Sequence, residues 1–125
     1  MNKTTTLLAG AILGGFGVAL GAFGAHALKE MLVQSGRLDT FELAVRYEFY
    51  HAFALLVAGI LQQSISSKAL QTSAVFFLSG TILFSGSLYL LCLTNNTVFA
   101  MVTPFGGVLL ILGWLFLAIG IYSKK

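Results

Sequence analysis

Between Lys68 and Lys124 lie 55 residues without a single fixed charge. Few architectures accept such a stretch. A soluble chain of 125 residues cannot hide that much apolar surface, because a domain of this size leaves a large fraction of its surface in water. A bilayer core of ~30 Å, by contrast, takes up about 20 apolar residues per helix. Two more uncharged stretches precede the long one: 25 residues from Thr4 to Leu28 and 19 from Phe49 to Ser67. Each is one span. The long stretch holds two, and its one polar cluster, Thr94-Asn95-Asn96-Thr97, divides it. Charged residues make up 9% of the chain, against roughly 25% in ordinary soluble domains, so the whole chain shares this character.

The fold expected is an all-α integral membrane protein, a four-transmembrane-helix bundle forming one membrane domain over 1–125. Its spans are about 4–28, 47–67, 69–93 and 98–122, with a polar helix–helix connection over 29–46. Pro104 leaves two readings of the last span. It kinks a helix that begins near Val98, or Thr103 caps a helix with Pro104 at its first position. The 19 residues from Pro104 to Tyr122 just span, which favours the second. The first apolar run, with Lys3 before it and Ala25-His26-Ala27 after it, imitates a signal peptide, but it exceeds the usual ~7–15 apolar residues and is read as a helix that stays.

With four spans both termini share a side with the Ser64–Gln71 loop. That side holds Lys3, Lys68, Lys124 and Lys125, and the other holds Lys29, Arg37 and Arg46. The balance favours cytoplasmic termini. Seven basic residues scattered among span ends form no stripe for nucleic acid. Cys92, the sole cysteine, excludes a disulfide framework and a thiolate metal site, and reads as a small apolar residue in a span.

Glycine is a poor helix former in water, yet Gly10, Gly14, Gly17, Gly21 and Gly24 recur at spacings of 4, 3, 4 and 3 and so form one narrow stripe. Lipid supplies no hydrophobic force between helices, and association depends on close backbone approach, which small residues allow. Gly106, Gly113 and Gly120 lay a second stripe down the last helix. The first helix has another small face, Ala11, Gly15, Ala19 and Ala22, followed by His26. Two small faces suggest two close neighbours, and place this helix at the centre of the bundle.

The first two spans form a hairpin. Gly36 suits a helix end and Asp39 a helix cap, with Glu42 three residues on. A turn centred between Arg37 and Leu38 sets Lys29 level with Arg46 and His26 level with Phe49. On the second span Glu42 and Arg46 share one face, while Ala44, Tyr47, Glu48, His51, Ala58 and Gln62 gather on the other. The second face should look inward, and His26, Tyr47, Glu48 and His51 become a candidate intramembrane polar cluster. An isolated carboxylate there is costly, so Glu48 should accept hydrogen bonds, with His26 or Tyr47 within reach, or become protonated.

The segments Gly21-Ala-Phe-Gly-Ala-His-Ala-Leu-Lys-Glu30, Arg46-Tyr-Glu-Phe-Tyr-His-Ala52, "SGTILFSGSLYLL" and "TPFGGVLLILGW" together resemble the small bacterial membrane-protein family known as domain of unknown function 423, which has a eukaryotic transmembrane relative. The resemblance implies a multi-pass protein of the bacterial cytoplasmic (inner) membrane. It implies no catalytic role for any residue, although the family motifs include the positions of His26 and His51.

Three functional readings follow. The first is a structural or interaction protein in contact with lipid, assembling with itself or with another membrane protein. The second is a small conduit for protons, ions or a small solute through His26, Glu48 and His51. The third is a metal or haem redox enzyme, since Glu48-Phe-Tyr-His51 matches the Glu-x-x-His pattern of di-iron bundles. That pattern occurs once and has no other acid at its depth, so the expectation is no enzyme, no cofactor and no metal. The first reading is preferred.

Overall fold

A computed structural model describes residues Met1–Lys124. Among them no strand occurs, and five helices follow in order: α1 Lys3–Ala25, α2 Lys29–Gln34, α3 Leu38–Ser64, α4 Lys68–Thr94 and α5 Val98–Tyr122. All but α2 are long and apolar enough to cross a membrane. Four helices of spanning length are present as expected, but the second begins at Leu38 and not near 47, because the helix runs on through the charged residues expected in the connection.

Local chemistry accounts for most of the boundaries. Asn2 opens α1 by accepting the Thr5 N–H at 2.9 Å, and the Ser67 hydroxyl accepts the Leu70 N–H at the start of α4. Asn95 ends α4 in the left-handed region at φ 54°, a conformation asparagine tolerates, and the Asn96 side chain then accepts the Val98 N–H that begins α5. The last span thus starts six residues before Pro104, which lies inside α5. The proline cap expected at Thr103 is corrected. The asparagine turn already supplies the helix start, and membrane helices tolerate an internal proline.

The central pair is α3 against α4; α1 lies along α3, α5 lies along α4, and α1 barely meets α4. The first helix is consequently an outer helix and not the centre of the bundle. The α4–α5 seam is antiparallel and repeats every seven residues. Leu70 fills the notch left by Gly120, Phe77 fills that of Gly113, and the Phe84 backbone lies directly against Gly106. Leu110 seats in the reverse direction on Gly80. Across the α1–α3 seam Gly10 meets Leu56 and the Ala52 carbonyl, Gly17 meets Phe49, Gly24 meets Phe41, and Leu7 seats on Gly59 of α3. A seven-residue repeat is the mark of left-handed crossing.

Of the first glycine stripe, Gly10, Gly17 and Gly24 are buried contacts, Gly21 has Val45 at ordinary distance, and Gly14 has no neighbour within 4 Å. Gly14 is therefore no packing residue within the chain. The second small face is likewise unpartnered: Ala11, Gly15, Ala19, Ala22 and His26 are all exposed. In the third span, Ser79 bonds back to its own helix at the Val75 carbonyl, while Ser73 donates across to the Gly113 carbonyl of α5 at 2.8 Å. Cys92 is buried beside Leu32 and Phe41 and acts as packing.

The connection between α1 and α3 differs from a simple hairpin. Gly36 does end a helix, at φ 71°, but that helix is the short α2. The chain breaks from α1 at His26 so that Leu32 can bury completely against Phe41 and Cys92 over the end of the bundle. Asp39 stands in the first turn of α3 and does not cap it, since Arg37 occupies the cap position without a side-chain bond.

Candidate functional site

This connection decides which polar groups meet. The expected register placed His26 level with Phe49; in the structure Gly17 holds that position. The offset of nine residues, at 1.5 Å rise each, moves His26 about 13 Å along the bundle. His26 ends up exposed as the C-cap of α1, lining a surface depression with Lys29 and Glu30. It is not part of an intramembrane cluster.

The inward face of α3 is as expected. Ala44, Glu48, His51 and Ala58 are buried, whereas Glu42 and Arg46 are exposed. Their partners come from α4 and α5. Glu48 accepts a hydrogen bond from the Tyr89 hydroxyl at 2.8 Å, through Oε1. Its Oε2 is buried with no hydrogen-bond partner, and lies where a Cβ on Gly17 would stand 3.3 Å away. Gly17 therefore does two things: it admits the Phe49 ring, and it leaves room for a carboxylate oxygen against the α1 backbone.

One turn further along α3, His51 faces α5. Its Nδ1 lies 2.8 Å from the Tyr47 carbonyl, and its Nε2 receives the Trp114 indole N–H at 3.1 Å. A carbonyl only accepts and an indole N–H only donates. The ring is therefore the neutral tautomer with the proton on Nδ1, an assignment that follows from its two partners. Phe77 packs edge-on against Trp114, with centroids 5.0 Å apart, and completes the setting. Tyr47 makes no bond to Glu48; its ring stacks on Phe84 at 4.5 Å.

The expected cluster thus does not form as one unit. Glu48 pairs with Tyr89, His51 pairs with Trp114 and stays beside Tyr47 with ring centroids 5.9 Å apart, and His26 lies at the surface. Tyr89 and Trp114 were not identifiable as partners from sequence. The spacing of Thr81, Ser85 and Tyr89, four residues apart on α4, was the available signal for the first. Nothing local marks the second.

Two clefts flank the central pair on opposite sides. One, of about 460 Å³, runs between α3 and α5 and is walled by aromatic rings including Tyr47, Tyr50 and Trp114. The other, of about 220 Å³, lies between α1 and α4 with Glu48 and Tyr89 in its lining.

Residues 20–107 match the model of the family described as protein of unknown function, DUF423. The chain belongs to this family. A UPF0382 membrane protein of Staphylococcus saprophyticus is 40% identical, over 94% of this chain and 96% of its own length. The UPF0382 inner membrane protein YgdD of Escherichia coli is 39% identical over 100% of this chain and 95% of its own. No solved structure matches. The protein is accordingly a multi-pass membrane protein of a family without an assigned function, and the matched segment contains Glu48, His51 and Tyr89 but not Trp114.

Proposed function

We propose that the protein acts through helix association and not as an enzyme, with α1 of two copies pairing side by side in the bacterial inner membrane. The unpartnered small face of α1 carries this reading. Ala11, Gly15 and Ala19 follow at intervals of four and Ala22 continues the face; all are exposed, on the side turned away from α3. Nothing lies within 4 Å of the position a Cβ on Gly15 would take. A four-residue spacing of small residues suits right-handed pairing in lipid, distinct from the seven-residue repeat that holds α1 to α3. Copies inserted with one topology bring α1 alongside α1 in parallel about a two-fold axis along the membrane normal, which makes the face self-complementary.

The conduit reading has less support. His26 stands apart from Glu48, and Glu48 and His51 face different helices, so the three make no continuous route. The inner-membrane name of the Escherichia coli relative supports that location, and the lysine balance supports cytoplasmic termini.

Disulfide trapping in native membranes tests the association. In a Cys92→Ala background, Ala19→Cys should form a covalent dimer and Ile111→Cys, on the exposed side of α5, should not. Adding Gly15→Leu should abolish the trapped dimer while leaving the monomer folded. Trapping at Ile111 without trapping at Ala19 overturns the proposal.

A further inference from the structure

The cleft between α1 and α4 has an imbalance of hydrogen-bonding groups. From α1 its walls are Leu13, Phe16 and Leu20, faced by Ile82 of α4. Its polar lining is Glu48 of α3 together with Thr81, Ser85 and Tyr89 on one line of α4. Every hydroxyl in that line has committed its proton: Thr81 to the Phe77 carbonyl at 2.7 Å, Ser85 to the Ala44 carbonyl at 2.7 Å, and Tyr89 to Glu48 Oε1. With Glu48 ionised, what remains is acceptor capacity only, the hydroxyl lone pairs and the unpartnered Oε2 of a residue that is 4% exposed.

A buried acceptor without a donor costs free energy, and a buried charge without a counter-charge costs more. The group that would relieve both is a compact cation with several donors. The remaining walls are hydrocarbon, so the rest of such a ligand would be apolar. An ammonium presents three N–H donors in a small volume, and a chain attached to it would lie between Phe16, Leu20 and Ile82. Tyr89 stands five residues before the end of α4, about 7–8 Å below it, a depth that the polar end of an amphiphile reaches by sinking only modestly.

We propose that the α1–α4 cleft binds a primary ammonium group carried on an apolar chain, with Glu48 as its counter-charge and the Thr81 and Ser85 hydroxyls as further acceptors. Phe16, whose side chain is 61% exposed, stands at the mouth of the cleft on the lipid side. From α1 the site uses Leu13, Phe16 and Leu20, which stand between the α3-facing glycines and the small-residue face, so it draws on none of the residues of α1 pairing.

Calorimetric titration of the full chain in phosphatidylcholine nanodiscs with decylammonium, against empty nanodiscs, tests this. Saturable binding above the empty-disc background is expected. Glu48→Gln keeps an acceptor for Tyr89 but removes the charge and should weaken binding about tenfold or more. Decyltrimethylammonium, which has charge but no N–H, should also bind about tenfold more weakly, as should decanol, which has no charge. Ile82→Trp, which fills the mouth of the cleft and leaves every acceptor in place, should abolish binding, and it carries the test if Glu48→Gln fails to fold. Adding phosphatidylethanolamine distinguishes the sources of the group. Competition identifies the lipid headgroup amine, and no competition identifies a free amphiphilic amine. Binding no greater than in empty discs, equal binding to wild type and Glu48→Gln, equal binding of the trimethyl compound, or binding undiminished in Ile82→Trp each overturns the proposal.

Discussion

Replacing Gly106 by alanine is the sharpest probe of how this bundle is held together. A Cβ there would collide with the Phe84 backbone nitrogen, with Phe84 Cα at 2.8 Å and the Leu83 carbonyl carbon at 2.9 Å. All three are backbone atoms and cannot rotate aside. Restoring an ordinary 3.4 Å contact to Phe84 Cα alone requires α4 and α5 to part by about 0.6 Å, and the closer Phe84 nitrogen requires more. A gap of that order forfeits a quarter to a half of the dispersion energy of the contacts it opens, and the neighbouring notch contacts at Gly80 and Gly113 share the seam. Overpacking of this kind costs about 1–3 kcal/mol, against which alanine gains roughly 0.5–1 kcal/mol in helix propensity. Because the colliding atoms are backbone, the cost falls in the upper part of that range, and the net expectation is a loss of about 1–2 kcal/mol. Gly14→Ala is the matched control, because nothing lies within 4 Å of its Cβ position and only the propensity gain applies. Equilibrium unfolding in mixed micelles, followed by Trp114 fluorescence, measures both. If Gly106→Ala proves as stable as wild type, or Gly14→Ala as damaging as Gly106→Ala, close backbone approach is not what holds this bundle and the notch account is wrong.

Two further outcomes are expected. Trp114→Phe and His51→Phe should each destabilise the protein, with a double-mutant coupling on the order of 1 kcal/mol; additive effects would mean that the indole–imidazole bond contributes nothing. In a Cys92→Ala background, an impermeant thiol reagent applied to intact cells should label Ser35→Cys and spare Ser66→Cys, and the reverse pattern would place the termini outside.

The spans were legible because their signal is additive and local. Twenty uncharged residues mean the same thing wherever they occur, and the Asn95-Asn96 break works through its own backbone and side chains. The inward face of α3 was legible for the same reason: Glu42 and Arg46 oppose Glu48 and His51 by helix periodicity alone. The register between α1 and α3 was not. It depends on whether Leu32 tucks over Phe41 and Cys92, a contact across some sixty residues of sequence that no local pattern encodes. In the structure Leu32 is buried there and the chain leaves α1 at His26, so the histidine lies in the turn. The small residues of α1 form two faces by periodicity, and one of them packs within the chain. Composition reports that a face permits approach, not that a neighbour is present.

The identity of the polar partners follows from a different physical rule. Glu48 and His51 sit on adjacent turns of α3 and both require compensation, but each can reach only what the facing helix presents at its level. The donors presented are Tyr89 and Trp114, side chains that bring one hydrogen-bonding atom on a large apolar body and so fit a lipid-surrounded bundle without further cost. The two compensations are unequal. His51 has two nitrogens and two partners, so the aromatic cleft beside it has no demand left on the imidazole. Glu48 has two oxygens and one donor. The two clefts arise from the same arrangement, an outer helix leaning on one member of a central pair and standing off from the other, yet only the α1–α4 cleft retains an unmet electrostatic requirement. That difference, and not size, assigns the polar ligand to the smaller of the two.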